Sequence, residues 1–111
     1  MAITIFKQIK PLSVNNAFQG RRFKTNAYKA YEQELLYTLP AKTLPKPPFS
    51  IEFEFGFSNP KADWDNPVKV LQDVLQKKYN FNDADIFEAA VRKVKVKKGQ
   101  EFFRVSIKSI K

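Results

Sequence analysis

The stretch Phe49-Ser50-Ile51-Glu52-Phe53-Glu54-Phe55-Gly56-Phe57 decides the fold. Its apolar residues fall on every second position, and Ser50, Glu52, Glu54 and Gly56 fill the positions between. A strict period of two is that of a β-strand with one face on a core. The phenylalanine ladder therefore reads as core and not as a platform for stacking nucleobases. Ser58-Asn59-Pro60 ends the strand. On its other side, Pro40 to Pro48 holds four prolines and makes a stiff connecting loop.

The flanking segments complete a two-layer plan. Upstream, Met1 to Ile9 alternates loosely and forms a first strand with Ile3 and Ile5 inward, ended by Pro11. Gln19-Gly20-Arg21-Arg22 reads as the turn of a small hairpin leading into Phe23. A helix from Thr25 or Asn26 to about Leu39 buries Tyr28, Tyr31, Leu35 and Leu39. Downstream, Asn66 and Pro67 start a second helix that runs to about Lys78, with Val70, Leu71, Val74 and Leu75 as its buried stripe. Two strands close the chain. One spans Val91 to Val96, with Val94 and Val96 opposing Lys93, Lys95 and Lys97. The other carries Phe103, Val105 and Ile107 toward the core, and Lys98-Gly99-Gln100 is read as a hairpin turn between them. The fold expected is a single α/β (α+β) domain over residues 1–111. It has a mostly antiparallel mixed sheet with two helices packed on it.

Composition narrows the chemistry. The chain has 111 residues, 43% hydrophobic and 28% charged, which are globular proportions. It contains no cysteine and no histidine. Disulfides, thiolate or imidazole metal sites, and Ser-His or Cys-His catalysis are thereby excluded. No apolar run approaches the roughly 20 residues that span a bilayer, and no signal-peptide h-region opens the chain. The expectation is a cytoplasmic protein with no membrane partner. Lys and Arg total 20 against 11 acids, for a net charge of +9. A small domain this basic commonly meets a polyanion, because each cation near a phosphate releases condensed counterions.

Against that background the acids are unevenly placed. All five aspartates lie between Asp63 and Asp85. The core of the stretch is Asp63-Trp64-Asp65-Asn66-Pro67-Val68-Lys69, followed by Asn82-Asp83-Ala84-Asp85-Ile86. Carboxylates held close together repel, and a hard divalent cation relieves that repulsion. Mg²⁺ favours carboxylate and water oxygens and completes its shell from substrate phosphates. Asp63, Asp65 and Asp83 are the candidate ligands, provided that the loops entering and leaving the second helix converge. Lys69, in the first turn of that helix, is placed to meet a phosphate. The competing reading makes the aspartates helix-capping and loop residues, and Lys69 a surface partner of Asp73. An EF-hand does not fit, because the sixth residue from Asp63 is Val68 and the twelfth is Val74.

Asp63-Trp64-Asp65-Asn66, then Lys69, Asp73 and Leu75, then Asn82-Asp83-Ala84-Asp85-Ile86, resembles the RusA family of Holliday junction resolvases. The family pattern is D-x-D-N-x-x-K-x-x-x-D-x-L with a later D-D-x-x-[VI]. Pro11-Leu12-Ser13-Val14-Asn15-Asn16 is similar to its proline-serine-asparagine segment. The resemblance implies a homodimeric, Mg²⁺-dependent endonuclease, bacterial or phage-encoded. It would nick opposed strands of a four-way DNA junction in recombination and repair. It also implies that Asp63, Asp65 and Asp83 hold the metal, that Lys69 assists at the phosphate, and that Asn66 and Asp73 lend structural support. Asn82 stands where the family has the first acid of its pair, and Asp85 is an additional acid nearby.

A C2 pair of active sites suits the approximate two-fold symmetry of a four-way junction. Lys93, Lys95 and Lys97 form one basic strand face, read either as tracking a DNA arm or as an ordinary solvated face. Arg21, Arg22 and Lys24, near Asn15 and Asn16, form a second basic patch. Two rival functions stay open: a non-catalytic basic nucleic-acid-binding module, which predicts binding indifferent to EDTA, and a Mg²⁺-dependent nuclease of another specificity.

Overall fold

A computed structural model of the chain describes residues 2–12, 18–19 and 23–110. Its elements in chain order are β1 (Ala2–Lys7), β2 (Phe18–Gln19), β3 (Phe23–Lys24), α1 (Asn26–Thr38), β4 (Phe49–Phe57), α2 (Asn66–Tyr79), a 3₁₀ turn (Asp83–Asp85), β5 (Ile86–Lys95) and β6 (Phe102–Ser109). The main sheet has the order β1-β6-β4-β5. β6 pairs antiparallel with both β1 and β4, whereas β4 and β5 are parallel. β2 and β3 pair antiparallel as a separate two-stranded ribbon, the small hairpin expected before α1. No helix among the described residues is long and apolar enough to cross a membrane.

The alternation of β4 translates directly into burial. Phe49, Ile51, Phe53 and Phe55 are buried, and their cross-strand neighbours Phe103, Val105 and Ile107 on β6 share that face. Ile3 and Ile5 extend it across β1. The helices cover this face alone. α1 contributes Tyr28, Tyr31, Leu35 and the following Leu39, and α2 contributes Val70, Leu71, Val74 and Leu75. The start of α1 is capped by Thr25, whose hydroxyl accepts a hydrogen bond from the Tyr28 N–H at 3.1 Å. α2 ends on Asn80 in the left-handed region, φ 57°. Burial raises the pKa of Tyr28 to about 12, with Asp73 and Glu32 adding to it. Bonds near the surface clamp the two helices together: Lys77 to Glu32 at 3.1 Å, and Lys78 to the Leu36 carbonyl at 2.9 Å.

Two expectations about the last strands are corrected. β5 starts at Ile86 and not at Val91, and its register sets Val91, Lys93 and Lys95 beside Phe53, Phe55 and Phe57. The lysines therefore project on the helix-bearing side, and Val94 lies beside Gly56 on the open side. The inversion is tolerated because β5 is an edge strand, where lysine stems pass along apolar surface to water and charged side chains discourage further pairing. The segment Lys98-Gly99-Gln100 does turn, with Gly99 at φ +92° and the Gln100 N–H bonded to the Lys97 carbonyl at 2.9 Å. It is not a hairpin, however, since β5 and β6 lie on opposite sides of β4. The connection instead crosses the end of β4.

The uncovered face of the sheet carries its own cluster. Phe6 and Phe102 stack with ring centroids 5.5 Å apart, and the Arg104 guanidinium lies over both rings. Glu54 bonds Arg104 and lies 3.8 Å from Arg92. The Phe102 ring lies against Gly56, so a Cβ there would collide with it. Gly56→Ala should displace Phe102 from Phe6 and destabilise the domain by about 1–3 kcal/mol, the usual penalty of overpacking. Urea denaturation measures this, and unchanged stability would show that the ring moves aside freely.

Candidate active site

The β4–α2–β5 unit is a parallel crossover, and this governs where each candidate residue lies. Asp63 and Asp65 stand in the connection that leaves the C-terminal end of β4 and enters α2. Asp83 and Asp85 stand just before β5, whose first residue pairs with Phe49 at the other end of β4. α2 has 14 residues, so a helix about 20 Å long separates the two groups. The two loops do not converge within one chain, because a helix linking parallel strands must return along their full length. Among the described residues, no three acidic side chains form a ready cation cluster.

Asp65 is the N-cap residue of α2 by position, yet its side chain makes no capping hydrogen bond. Its carboxylate is therefore not spent on the free helix N–H groups, although it lies at the positive end of the helix dipole. Asp63 accepts a hydrogen bond from the Asn66 side chain at 3.2 Å, which orients one carboxylate oxygen and leaves the other. Asn66 is thus the hydrogen-bond partner of Asp63. Lys69 pairs with Asp73 at 3.1 Å across one helical turn. Both side chains are partly in solvent, so this pair is worth only a few tenths of a kcal/mol, and little holds Lys69 from a stronger anion.

Asp63 and Asn66 also line a cleft of about 370 Å³ shared with Lys10, Asn59, Lys61 and Glu101. Glu101 accepts hydrogen bonds from the Ser58 hydroxyl at 2.6 Å and the Gly99 N–H at 2.9 Å. The Ser58 bond is the main reason that its pKa lies below the usual value of 4.5. Sequence reasoning missed Glu101. It is a single acid after a basic turn, and only the passage of that turn across β4 brings it to Asp63. Its carboxylates, Asp63 and Glu101, are oxygen donors that suit a hard cation, and Mg²⁺ needs only one or two carboxylates beside water and phosphate. Lys10 and Lys61 share the cleft, and Asp65 does not line it.

The basic residues divide. Lys93, Lys95 and Lys97 follow the edge of the sheet to the same end as Asp63 and Asp65. Lys93 is not a free cation. Its ammonium donates to the Pro60 carbonyl at 3.0 Å and the Ala62 carbonyl at 2.7 Å, clamping the turn that delivers Asp63. Lys24 is engaged by Glu32 at 3.5 Å and lies over the Tyr28 ring. Asn15, Asn16, Arg21 and Arg22 fall outside the described residues. At the far end, the Asn82 side chain caps the 3₁₀ turn by accepting from the Ala84 N–H at 2.9 Å. An amide oxygen does this as well as a carboxylate.

The chain matches no protein-family model, and no curated protein sequence is significantly similar to it.

Two outcomes follow from these contacts. Lys93→Met should speed amide hydrogen exchange across residues 59–64 with little change in global melting temperature, since an exposed lysine is released. Unchanged exchange there would show that the clamp does not hold the turn. Because the Glu101 pKa is lowered by folding, its contribution to stability is full above about pH 4.5 and is lost as the pH falls below it. Glu101→Gln should therefore flatten the acid limb of the stability profile. An identical limb in both proteins would remove the Ser58–Glu101 bond from the account.

Proposed function

We propose that this chain is a Mg²⁺-dependent, structure-selective endodeoxyribonuclease that acts on four-way DNA junctions as a homodimer. The observation that carries the reading is the start of α2, where Asp63 is oriented by Asn66 and Asp65 makes no capping bond. Lys69 stands one turn further on, and a basic edge ends beside them. Clefts at the carboxyl ends of sheet strands are a recurrent place for ligands. The spacing of these residues, which resembles the RusA motif, adds the substrate class.

In this reading Asp63 and Asp65 hold the metal, and Lys69 exchanges Asp73 for the phosphate undergoing cleavage. The bound Mg²⁺ would supply Lewis acidity toward the phosphoryl oxygen and a lowered pKa for water. The helix N-terminus favours the same negative charge from the protein side. Lys95, Lys97 and Lys61 draw the DNA backbone to this end of the domain, which otherwise presents carboxylates to a polyanion. Asp83 lies a helix length away in its own chain. It takes part only at the site of a second copy, which gives the homodimer a chemical reason beyond the symmetry of the junction.

A labelled synthetic four-way junction tests the proposal directly. Paired nicks are expected with Mg²⁺ and none with EDTA, with linear duplex left intact. Asp65→Asn should lower nicking by about 100-fold or more while retaining junction binding, the scale of losing a group that stabilises developing charge. Binding with no nicking in any divalent metal would leave a junction-binding module and return Asp63 and Asp65 to structural roles. Mixing inactive Asp65→Asn and Asp83→Asn chains tests the shared site. Mixed dimers should regain cleavage of one strand, because one of their two sites is free of both substitutions. No recovery would place Asp83 outside the site.

A further inference from the structure

Trp64 is the only tryptophan in the chain, and it lies between the two aspartates. It is 55% exposed, an unfavourable position for so large an apolar surface. Its indole sits at the edge of the sheet, where it borders a shallow hollow of about 330 Å³ with Ala89, Val91 and Lys93. Among the described residues it has no aromatic partner, and its ring N–H has no acceptor. The other exposed aromatics differ in setting. Phe6 is stacked on Phe102 under Arg104, Tyr37 lies on α1, and Phe87 lies at the opposite end of β5.

We propose that Trp64 is a base-stacking residue that receives an unpaired nucleobase of the DNA strand entering the site. The inference deepens the nuclease reading and rests on it for the choice of DNA. The flanking charges select a base over a backbone contact. Asp63 and Asp65 repel a phosphate placed on the indole, but the neutral face of a base brings no charge against them. Lys95 and Lys97, further along the same edge, supply the phosphate contacts that hold the strand. The hollow beside Ala89 and Val91 gives the second side of the base an apolar wall. Trp64 lies between Asp63 and Asp65 in sequence, so a base on its ring belongs to a strand that passes close to the carboxylates. A base inside an intact duplex is already stacked on both faces, so the contact favours branched or single-stranded DNA.

Fluorescence of the single tryptophan reads this contact directly. The full chain is titrated in EDTA with a four-way junction, a single-stranded oligonucleotide and an intact duplex, while anisotropy of labelled DNA measures binding separately. Quenching is expected with the junction and the single strand and not with the duplex. Trp64→Ala should weaken junction binding by about tenfold or more, the usual scale for one base on one ring. Trp64→Phe should retain most of the affinity, which separates stacking from misfolding of the loop. Tight binding with unchanged fluorescence, equal quenching by duplex, or full affinity in Trp64→Ala overturns the stacking role and leaves the nuclease reading standing. No binding to any of the three DNAs overturns both.

Discussion

The parallel pairing of β4 with β5 is the constraint on which the rest of the molecule depends. Once two neighbouring strands run the same way, the chain between them must travel back along the sheet, and α2 is that return. Its apolar stripe, Val70, Leu71, Val74 and Leu75, closes the core over the phenylalanines of β4. Its two ends are then fixed at opposite ends of the sheet. One end brings Asp63, Asp65 and Lys69 together with Lys93 and Glu101, and the other carries Asn82, Asp83 and Asp85. A feature introduced by packing thus decides which acidic residues of one chain can work together.

Much of this fold was legible from alternation and helix punctuation. The β4 ladder, the buried stripes of both helices and the inward residues of β6 follow from period and capping alone. The parallel edge was not legible. A strand rich in lysine with a Lys-Gly-Gln turn after it reads locally as the first arm of a hairpin, and nothing in that segment reports that β4 will occupy the space between the arms. The same blindness affected the site. Asp63, Asp65, Asn66 and Lys69 are close in sequence on a helix start, so their proximity could be read from spacing. Glu101 reaches the cleft of Asp63 and Asn66 only through the crossing connection, and the separation of Asp83 depends on the direction of β5.

Electrostatics explain how a strongly basic domain accommodates a cluster of aspartates. The helix N-terminus offsets part of the charge on Asp63 and Asp65, and Asn66 adds one hydrogen bond to Asp63. Lys93, at the same end of the sheet, is turned to the Pro60 and Ala62 carbonyls. It stiffens the turn without pairing with the carboxylates. Among the described residues Asp63 and Asp65 form no ion pair, although Lys10 and Lys61 line the cleft beside Asp63, so their carboxylates stay available to a cation.

The open face of the sheet poses the complementary problem. Helices cover only one side, so Phe6 and Phe102 must be satisfied without a second layer. They do this by stacking on each other beneath Arg104, whose charge is held by Glu54. Gly56 makes room for the Phe102 ring, which explains a glycine in the middle of a strand where it would otherwise weaken pairing. Trp64 has no such arrangement. Its ring borders an edge strand already committed to lysines, in a turn pinned by Lys93, and it stands in sequence between two carboxylates that form no ion pair among the described residues. Tyr37 and Phe87 are exposed too, but they lie away from the carboxylates, on α1 and at the opposite end of β5. Trp64 alone of the three stands beside the start of α2, where an incoming base completes its contacts.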